Sequence, residues 1–157
     1  MKRFISFMTA LVMTVSMALY MPPLKAKALS SRIESAVQWA EGIANDNSHG
    51  YRLGAWGPEY DCGHLIIQAL NVNGIYTGAT YTGDMRETFV ANGFKWIPWN
   101  EVGGVWNMQR GDIILSEADH TELYLGNGQF VVASDDWDGV AGDSGGEEIW
   151  IRGFWGR

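Results

Sequence analysis

The stretch Tyr60-Asp61-Cys62-Gly63-His64-Leu65-Ile66-Ile67-Gln68-Ala69-Leu70 predicts an apolar helix that begins with a cysteine. Asp61 is a preferred N-cap residue, and Asn73-Gly74 is typical of a helix end. Cys62 is therefore expected in the first turn, where unpaired backbone amides and the helix dipole favour a thiolate. This position predicts a reactive cysteine.

Helix signals lie around this segment, and strand signals follow it. Ser31 and Glu34 have capping-box spacing, which predicts a first helix to about Asn45; a third helix is predicted over residues 83–91 with Thr82 as its cap. Period-two patterns predict strands at 94–99, 112–116, 120–125, 129–134 and 148–154, with Asn127-Gly128 as a hairpin turn. This order indicates an α+β fold with N-terminal helices packed on an antiparallel β-sheet.

The N-terminus has the organisation of a secretory signal. Lys2 and Arg3 precede an uncharged run over residues 4–21 and the pattern Ala26-Lys27-Ala28. We predict a signal peptide at residues 1–28, a single domain at residues 29–157, a secreted or cell-wall location, and no stable membrane insertion after cleavage. The alternative is an uncleaved membrane anchor.

The charge of the chain argues against nucleic acid as a partner. The 157 residues contain 11 Lys and Arg against 18 Asp and Glu, a formal charge of −7. Without residues 1–28, seven bases would face the same 18 acids, a formal charge of −11. Such a balance disfavours polyphosphate ligands. The single cysteine also excludes an internal disulfide and a zinc site built on several cysteines.

The nucleophile needs a partner that carries a proton, and His120 is the best placed histidine. His64 lies two positions after Cys62 on the same helix, so the two side chains point apart. His120 opens a predicted strand after a turn, where its side chain can project from the end of the sheet toward the helix. The pair Cys62 and His120 is therefore the predicted catalytic core.

Three residues compete to orient the His120 imidazole. Glu122 shares its strand face two residues on. A bulged hairpin would bring Ser134 opposite His120, whereas a strict two-residue turn would bring Asp135 there. The candidates Glu122, Ser134 and Asp135 stay open.

Two blocks of sequence resemble papain-like cell-wall hydrolases, namely the NlpC-type peptidases and the related CHAP and phage-endolysin amidases. The blocks are Tyr60-Asp61-Cys62-Gly63-His64-Leu65-Ile66 and the pair of strands Gln109-Arg110-Gly111-Asp112-Ile113-Ile114-Leu115 and His120-Thr121-Glu122-Leu123-Tyr124-Leu125-Gly126-Asn127-Gly128. The match covers about Ile33 to Trp155. The resemblance implies a papain-like fold, Cys62 as nucleophile, His120 as base and hydrolysis of an amide bond in bacterial peptidoglycan.

Two positions depart from that family pattern. Gly63-His64 stands where the family has a serine after the cysteine, and Val132 stands where NlpC-type members often have a third polar residue. Residues 134–136 and 142–149 are more similar to the endolysin-like amidases, which favours that branch.

We therefore predict a secreted, cysteine-dependent peptidoglycan amidase or endopeptidase with no cofactor and no catalytic metal. Tyr60, Asp61 and Trp56 are the candidates for shaping the substrate entrance. The alternative is a catalytically inactive wall-binding or effector module of the same fold, which would use loop tryptophans to contact glycans. Acyl transfer on the same pair is a third hypothesis. The scissile amide bond and any inhibitor or immunity protein stay unidentified.

Two further signals lie between residues 136 and 148. Residues 142–146 spell a serine-protease nucleophile segment, but the 13 residues after Ser144 are too few to complete such a protease. Asp136, Asp138 and Glu147 match three positions of a calcium loop, whereas Val140 and Ala141 break the EF-hand pattern. A looser calcium site in this acidic loop stays open.

Overall fold

A computed structural model describes residues 24–143 and 145–154. Its helices are α1 (Leu24–Ala44), α2 (Cys62–Val72), α3 (Thr82–Ala91) and α4 (Trp99–Val102), and a 3₁₀ turn covers Val105–Asn107. Its strands are β1 (Ile113–Ser116), β2 (His120–Gly126), β3 (Gln129–Ala133) and β4 (Ile149–Gly153). Residues 1–23 of the predicted signal lie outside this range, so the signal peptide and the domain limits stay predictions.

The hydrophobic core lies between the sheet and two of the helices. The sheet has the order β1-β2-β3-β4, and each neighbouring pair is antiparallel. Helices α1 and α2 pack on each other and on β2, β3 and β4. Core residues at this interface include Val37, Leu65, Ile66, Leu123 and Val131, and burying each such side chain contributes roughly 1.5–3 kcal/mol. The predicted α+β fold is confirmed.

The opposite face of the sheet carries a second, smaller apolar cluster. It is built from Val105, Tyr124, Phe130 and Val132. Leu123 and Val131 belong to the helix-side core, while the next residues along their strands belong to this cluster, as strand alternation requires. Both faces of the central strands are therefore covered, which makes a change in strand register costly.

The hairpin between β2 and β3 combines a two-residue turn with a bulge. Gly126 pairs with Gln129 across Asn127 and Gly128, which both have positive φ angles of 53° and 74°. Tyr124 pairs with Phe130, so one extra residue of β2 lies between the two pairs. The turn predicted at Asn127-Gly128 is confirmed, and the register is that of the bulged alternative.

The strand predicted at residues 94–99 is wrong. The segment is irregular up to Pro98, and α4 begins at Trp99. Pro98 has no N–H to donate to a sheet, and it serves as the N-cap of α4 instead. The alternating aromatic residues pack on α3. The ring centroids of Phe94 and Phe89 lie 5.0 Å apart, and the guanidinium carbon of Arg86 lies 4.5 Å from the centroid of the Trp96 ring.

Helix α1 begins earlier than its predicted cap. It starts at Leu24, so Ser31 is inside the helix and the predicted capping box is wrong. The preceding residues are rich in Leu, Ala and Lys, which favour helix, so nothing in the sequence ends the helix there. Glu34 instead binds Arg110, which also contacts Glu41 and the carbonyl of Leu125. Arg110 thereby joins α1 to the hairpin.

No helix within residues 24–143 and 145–154 is both long enough and apolar enough to cross a bilayer.

Candidate active site

Cys62 is the first residue of α2, and Asp61 fixes it there. One carboxylate oxygen of Asp61 accepts a hydrogen bond from the backbone amide of His64 at 2.8 Å, which confirms the predicted N-cap. The second oxygen accepts from the backbone amide of Gly54 at 2.8 Å. Asp61 thus ties the start of the helix to the loop before it and holds the backbone on both sides of the cysteine.

His120 reaches Cys62 from the start of β2. Ser116 pairs with His120 across the tight β1–β2 turn, and Asp119 of this turn contacts Cys62, the first residue of α2. The Cys62 sulfur lies 3.9 Å from the carbonyl oxygen of Asp119 and close enough to the imidazole of His120 to raise its pKa. The structure therefore brings the two residues of the predicted catalytic core together. Both are largely buried, with 8% of Cys62 exposed.

Glu122 and Arg152 extend this contact into a network of four side chains. Nε2 of His120 lies 3.3 Å from Oε1 of Glu122, and the same carboxylate oxygen accepts a hydrogen bond from the guanidinium of Arg152. The side chain of Glu122 is 9% exposed and that of Arg152 is 18% exposed. The Glu122 carboxylate therefore lies between two basic side chains, His120 and Arg152.

The pKa values follow from these contacts. Burial opposes the imidazolium, but the hydrogen bonds and charges of Cys62 and Glu122 outweigh it and raise the pKa of His120 to about 9. Burial also disfavours ionised Glu122, yet the hydrogen bond from His120 and the charge of Arg152 hold its pKa below the usual range. At neutral pH the imidazole is therefore protonated and lies between two acidic groups.

Within the described residues, neither Ser134 nor Asp135 acts on the His120 imidazole, although the bulged register is the one that brings Ser134 opposite His120. Within the described residues, the groups that act on His120 are Cys62 and Glu122, while Asp135 is exposed. Asp135 instead acts on Tyr51: burial raises the pKa of Tyr51 to about 12, and the negative charges of Cys62, Asp61 and Asp135 add to this. The tyrosine side chain thus lies near the cysteine. Because it falls in a stretch without periodicity, sequence reasoning missed it.

The predicted entrance residues occupy three different environments. Tyr60 is 6% exposed and packs edge-on against Trp39 in the core, and Asp61 is 7% exposed. Trp56 is 44% exposed and lies over the His64 ring with a centroid distance of 3.9 Å. Of the three residues, Trp56 therefore offers a substantial surface to a ligand. Tyr60 and Asp61 are buried, so they would shape the entrance by holding neighbouring residues in place.

His64 is occupied away from the sulfur. Its Nε2 lies 2.9 Å from the carbonyl oxygen of Thr80, and its Nδ1 lies 2.8 Å from the Asp61 carboxylate, outside hydrogen-bond geometry. The helix geometry that excluded His64 as the partner of Cys62 therefore agrees with its observed surroundings.

Arg152 is the residue of this network that sequence reasoning missed. The register pairs Phe130 of β3 with Arg152 of β4, so the arginine reaches Glu122 diagonally across β3. Val132, the apolar residue at the third position of the family pattern, is buried in the second cluster. The useful signal would have been a lone arginine in the otherwise apolar sequence of β4.

A pocket of about 190 Å³ opens beside His120 and Glu122. Its other walls include Trp99, Arg152 and Phe154. Trp99 is 48% exposed and stacks on Phe154 at a centroid distance of 5.7 Å. A larger cavity of about 310 Å³ lies between α3 and β1, away from the cysteine.

Comparison with known proteins shows similarity at the level of the fold. No protein-family model and no curated protein matches the chain. The peptidoglycan hydrolase RipB from Mycobacterium tuberculosis is 23% identical with a TM-score of 0.56; the match covers 84% of this chain and 62% of RipB. The P60 domain of an antigen from M. avium subspecies paratuberculosis is 20% identical with a TM-score of 0.53, over 81% of this chain and 88% of that domain. The chain therefore has the papain-like fold of NlpC/P60 domains.

Proposed function

We propose that this chain is a secreted cysteine hydrolase that cleaves an amide bond in bacterial peptidoglycan. The observation that carries the proposal is the buried network of Cys62, His120, Glu122 and Arg152, in which a cysteine at a helix N-terminus meets a protonated histidine. The similarity in fold to a protein described as a peptidoglycan hydrolase supports the choice of substrate. An endolysin-like amidase specificity stays a prediction.

The reaction proceeds through a thioester. The Cys62 thiolate attacks the amide carbonyl carbon, and the carbonyl electrons move to its oxygen. The backbone amides of Cys62 and Gly63 have no acceptor within α2 and can donate to this oxyanion. As the C–N bond breaks, protonated His120 gives its proton to the leaving amine. Neutral His120 then takes a proton from the water that attacks the thioester, which releases the carboxylic acid and restores the thiolate.

Glu122 and Arg152 act as positioning residues in this mechanism. Glu122 contacts Nε2, so Nδ1 is the nitrogen available for the sulfur and the substrate. The carboxylate holds the ring orientation and stabilises the imidazolium, and Arg152 keeps the carboxylate ionised.

Digestion of purified cell walls tests the proposal directly. The wild-type protein is expected to release soluble fragments with new amino groups, and mass spectrometry of these fragments identifies the bond by its new termini. Cys62→Ser is expected to release none while it melts like the wild type. Equal release by that variant would contradict cysteine catalysis.

A second function is favoured by the exposed tryptophans. Trp106 is 77% exposed and Trp137 is 72% exposed, and both present indole faces that can stack on sugars. A binding module would retain wall binding in Cys62→Ser and show no hydrolysis in either protein. Sedimentation with insoluble walls, measured beside fragment release, separates the two functions.

A further inference from the structure

The connection between β3 and β4 concentrates negative charge without a basic residue. From residue 135 to residue 148 it contains six acids, namely Asp135, Asp136, Asp138, Asp143, Glu147 and Glu148. One carboxylate oxygen from each of Asp136, Asp138 and Glu148 lies within 4.8 Å of the other two. Like charges at such separations repel one another more strongly in a protein than in bulk water, because the effective dielectric constant is lower. The three carboxylates form what we call the acidic triad.

Glu148 is the buried member of the acidic triad. It is 2% exposed, and its Oε2 accepts a hydrogen bond from the backbone amide of Gly142. Its Oε1 is buried and has no hydrogen-bond partner among the described residues. A buried carboxylate oxygen without a donor is costly, and a bound cation would remove that cost.

The loop backbone holds the two aspartates and passes close to all three carboxylates. The amides of Gly139 and Val140 donate to one oxygen each of Asp136 and Asp138, at 2.7 Å and 2.8 Å. A Cβ atom at Gly146 would lie 3.2 Å from the Asp136 oxygen and 3.4 Å from both the Asp138 oxygen and Cγ of Glu148. Any side chain at this position would crowd the acidic triad, and glycine avoids this.

We propose that Asp136, Asp138 and Glu148 bind a Ca²⁺ ion. Calcium takes six to eight oxygen ligands in flexible geometry and accepts backbone carbonyls and water beside carboxylates, which suits an irregular loop. Magnesium demands near-ideal octahedral geometry and fits such a loop less well. The buried ligand is Glu148, one residue after the Glu147 of the calcium-loop pattern, so this site is distinct from an EF-hand.

The site would fix a segment beside the candidate active site. The backbone amide of Ser134 donates to the carbonyl of Glu148 at 2.9 Å, so the two ends of the loop are joined. The next residue is Asp135, whose charge acts on Tyr51 near Cys62. Calcium binding does not depend on hydrolysis, so the proposal and the hydrolase function are tested separately.

Terbium luminescence tests the site in the complete chain. Trp137 lies between two of the proposed ligands and can sensitise bound Tb³⁺, which replaces Ca²⁺ at oxygen sites. We expect saturable emission that calcium displaces at least about 10-fold more effectively than magnesium. Asp138→Asn and Glu148→Gln should each reduce calcium affinity at least about 10-fold. Glu147→Gln removes the same charge from an exposed position of the same loop, and it should bind like the wild type.

Thermal unfolding separates binding from failure to fold. The amide side chains introduced by Asp138→Asn and Glu148→Gln keep an oxygen for the backbone amides of Val140 and Gly142, so both variants should fold in chelator. Calcium at about 1–10 mM should raise the melting temperature of the wild type and Glu147→Gln, but of neither ligand variant. Absence of sensitised emission and of any rise in the wild type, or an equal calcium response in all four proteins, would overturn the proposal.

Discussion

The candidate active site and the acidic triad each bury one glutamate, Glu122 and Glu148, but the two regions balance its charge differently. Glu122 lies between His120 and Arg152, which are supplied by β2 and β4. Glu148 faces Asp136 and Asp138, and one of its oxygens has no partner among the described residues. In the first region, basic side chains of the protein balance the carboxylate charge. In the second region, a cation from solution is needed to do so. Removing a carboxylate should therefore have opposite effects in the two places.

Cys62→Ala should give the largest effect of any single change in the active site. It removes the nucleophile, and we expect hydrolysis to fall at least about 10³-fold. It also removes the hydrogen bond and the charge that raise the pKa of His120, so that pKa should fall well below about 9. Release of wall fragments and NMR titration of the His120 ring measure the two effects. An unchanged titration would show that the sulfur does not act on this histidine.

Glu122→Gln should reduce both activity and stability. Hydrolysis should fall about 100-fold because the imidazolium loses its carboxylate. The free energy of unfolding should fall by about 2 kcal/mol because Arg152 is left without its anion. Chemical denaturation and fragment release measure the two losses.

A double variant separates the two losses. Glu122→Gln with Arg152→Gln should recover part of the stability and none of the activity, because no unpaired charge remains. Glu117→Gln breaks the exposed pair with Arg86 and serves as a control, with a change under about 0.5 kcal/mol. Full activity in Glu122→Gln would contradict the positioning role.

Stability should decline with rising pH in the range set by His120. Its folded pKa of about 9 exceeds the unfolded value near 6.5, so its contribution is complete below pH 6.5 and is lost as the pH rises through 9. The loss should be on the order of 2 kcal/mol. Denaturation midpoints between pH 6 and 10 measure it, and Glu122→Gln should flatten the profile. A flat wild-type profile would contradict the ion pair.

Glu148→Gln should have the smallest effect, and of opposite sign. In chelator the variant should gain about 1 kcal/mol because a buried carboxylate no longer faces two others. Glu147→Gln, which changes an exposed position, should stay within about 0.5 kcal/mol of the wild type. Chemical denaturation in chelator checks both. A loss of stability in Glu148→Gln without calcium would show that Glu148 serves the fold rather than a cation.

Local signals made much of the site predictable. Asp61 before the apolar run predicted the start of α2, and Asn127-Gly128 predicted the hairpin; both depend on neighbouring residues only. The pairing of His120 with Cys62 followed from a helix N-terminus and a strand start. The register between β2 and β3 could not be predicted because it includes a bulge between Tyr124 and Gly126. The side chains of these strands pack into clusters on both sheet faces, and a local sequence pattern does not describe that packing.

The missed features depend on distant parts of the chain. Arg152 reaches Glu122 only because β4 joins the edge of the sheet beside β3, which a pattern within β4 does not reveal. Alternation at residues 94–99 reflected packing on α3 and not strand pairing. The closeness of Glu148 to two aspartates required the observed path of the loop. Local rules thus predicted that Cys62 and His120 lie together, but not the charged side chains around them.

Asp61 joins the start of α2 to the loop that precedes it. Its two oxygens accept hydrogen bonds from the amides of His64 and Gly54, so the acid directly before Cys62 anchors the backbone on both sides. An asparagine has a single side-chain oxygen, so it would replace only part of these two hydrogen bonds. A homologue with a neutral residue there could therefore keep its chemistry and lose rigidity, and the first sign would be faster amide exchange in the loop that carries Trp56.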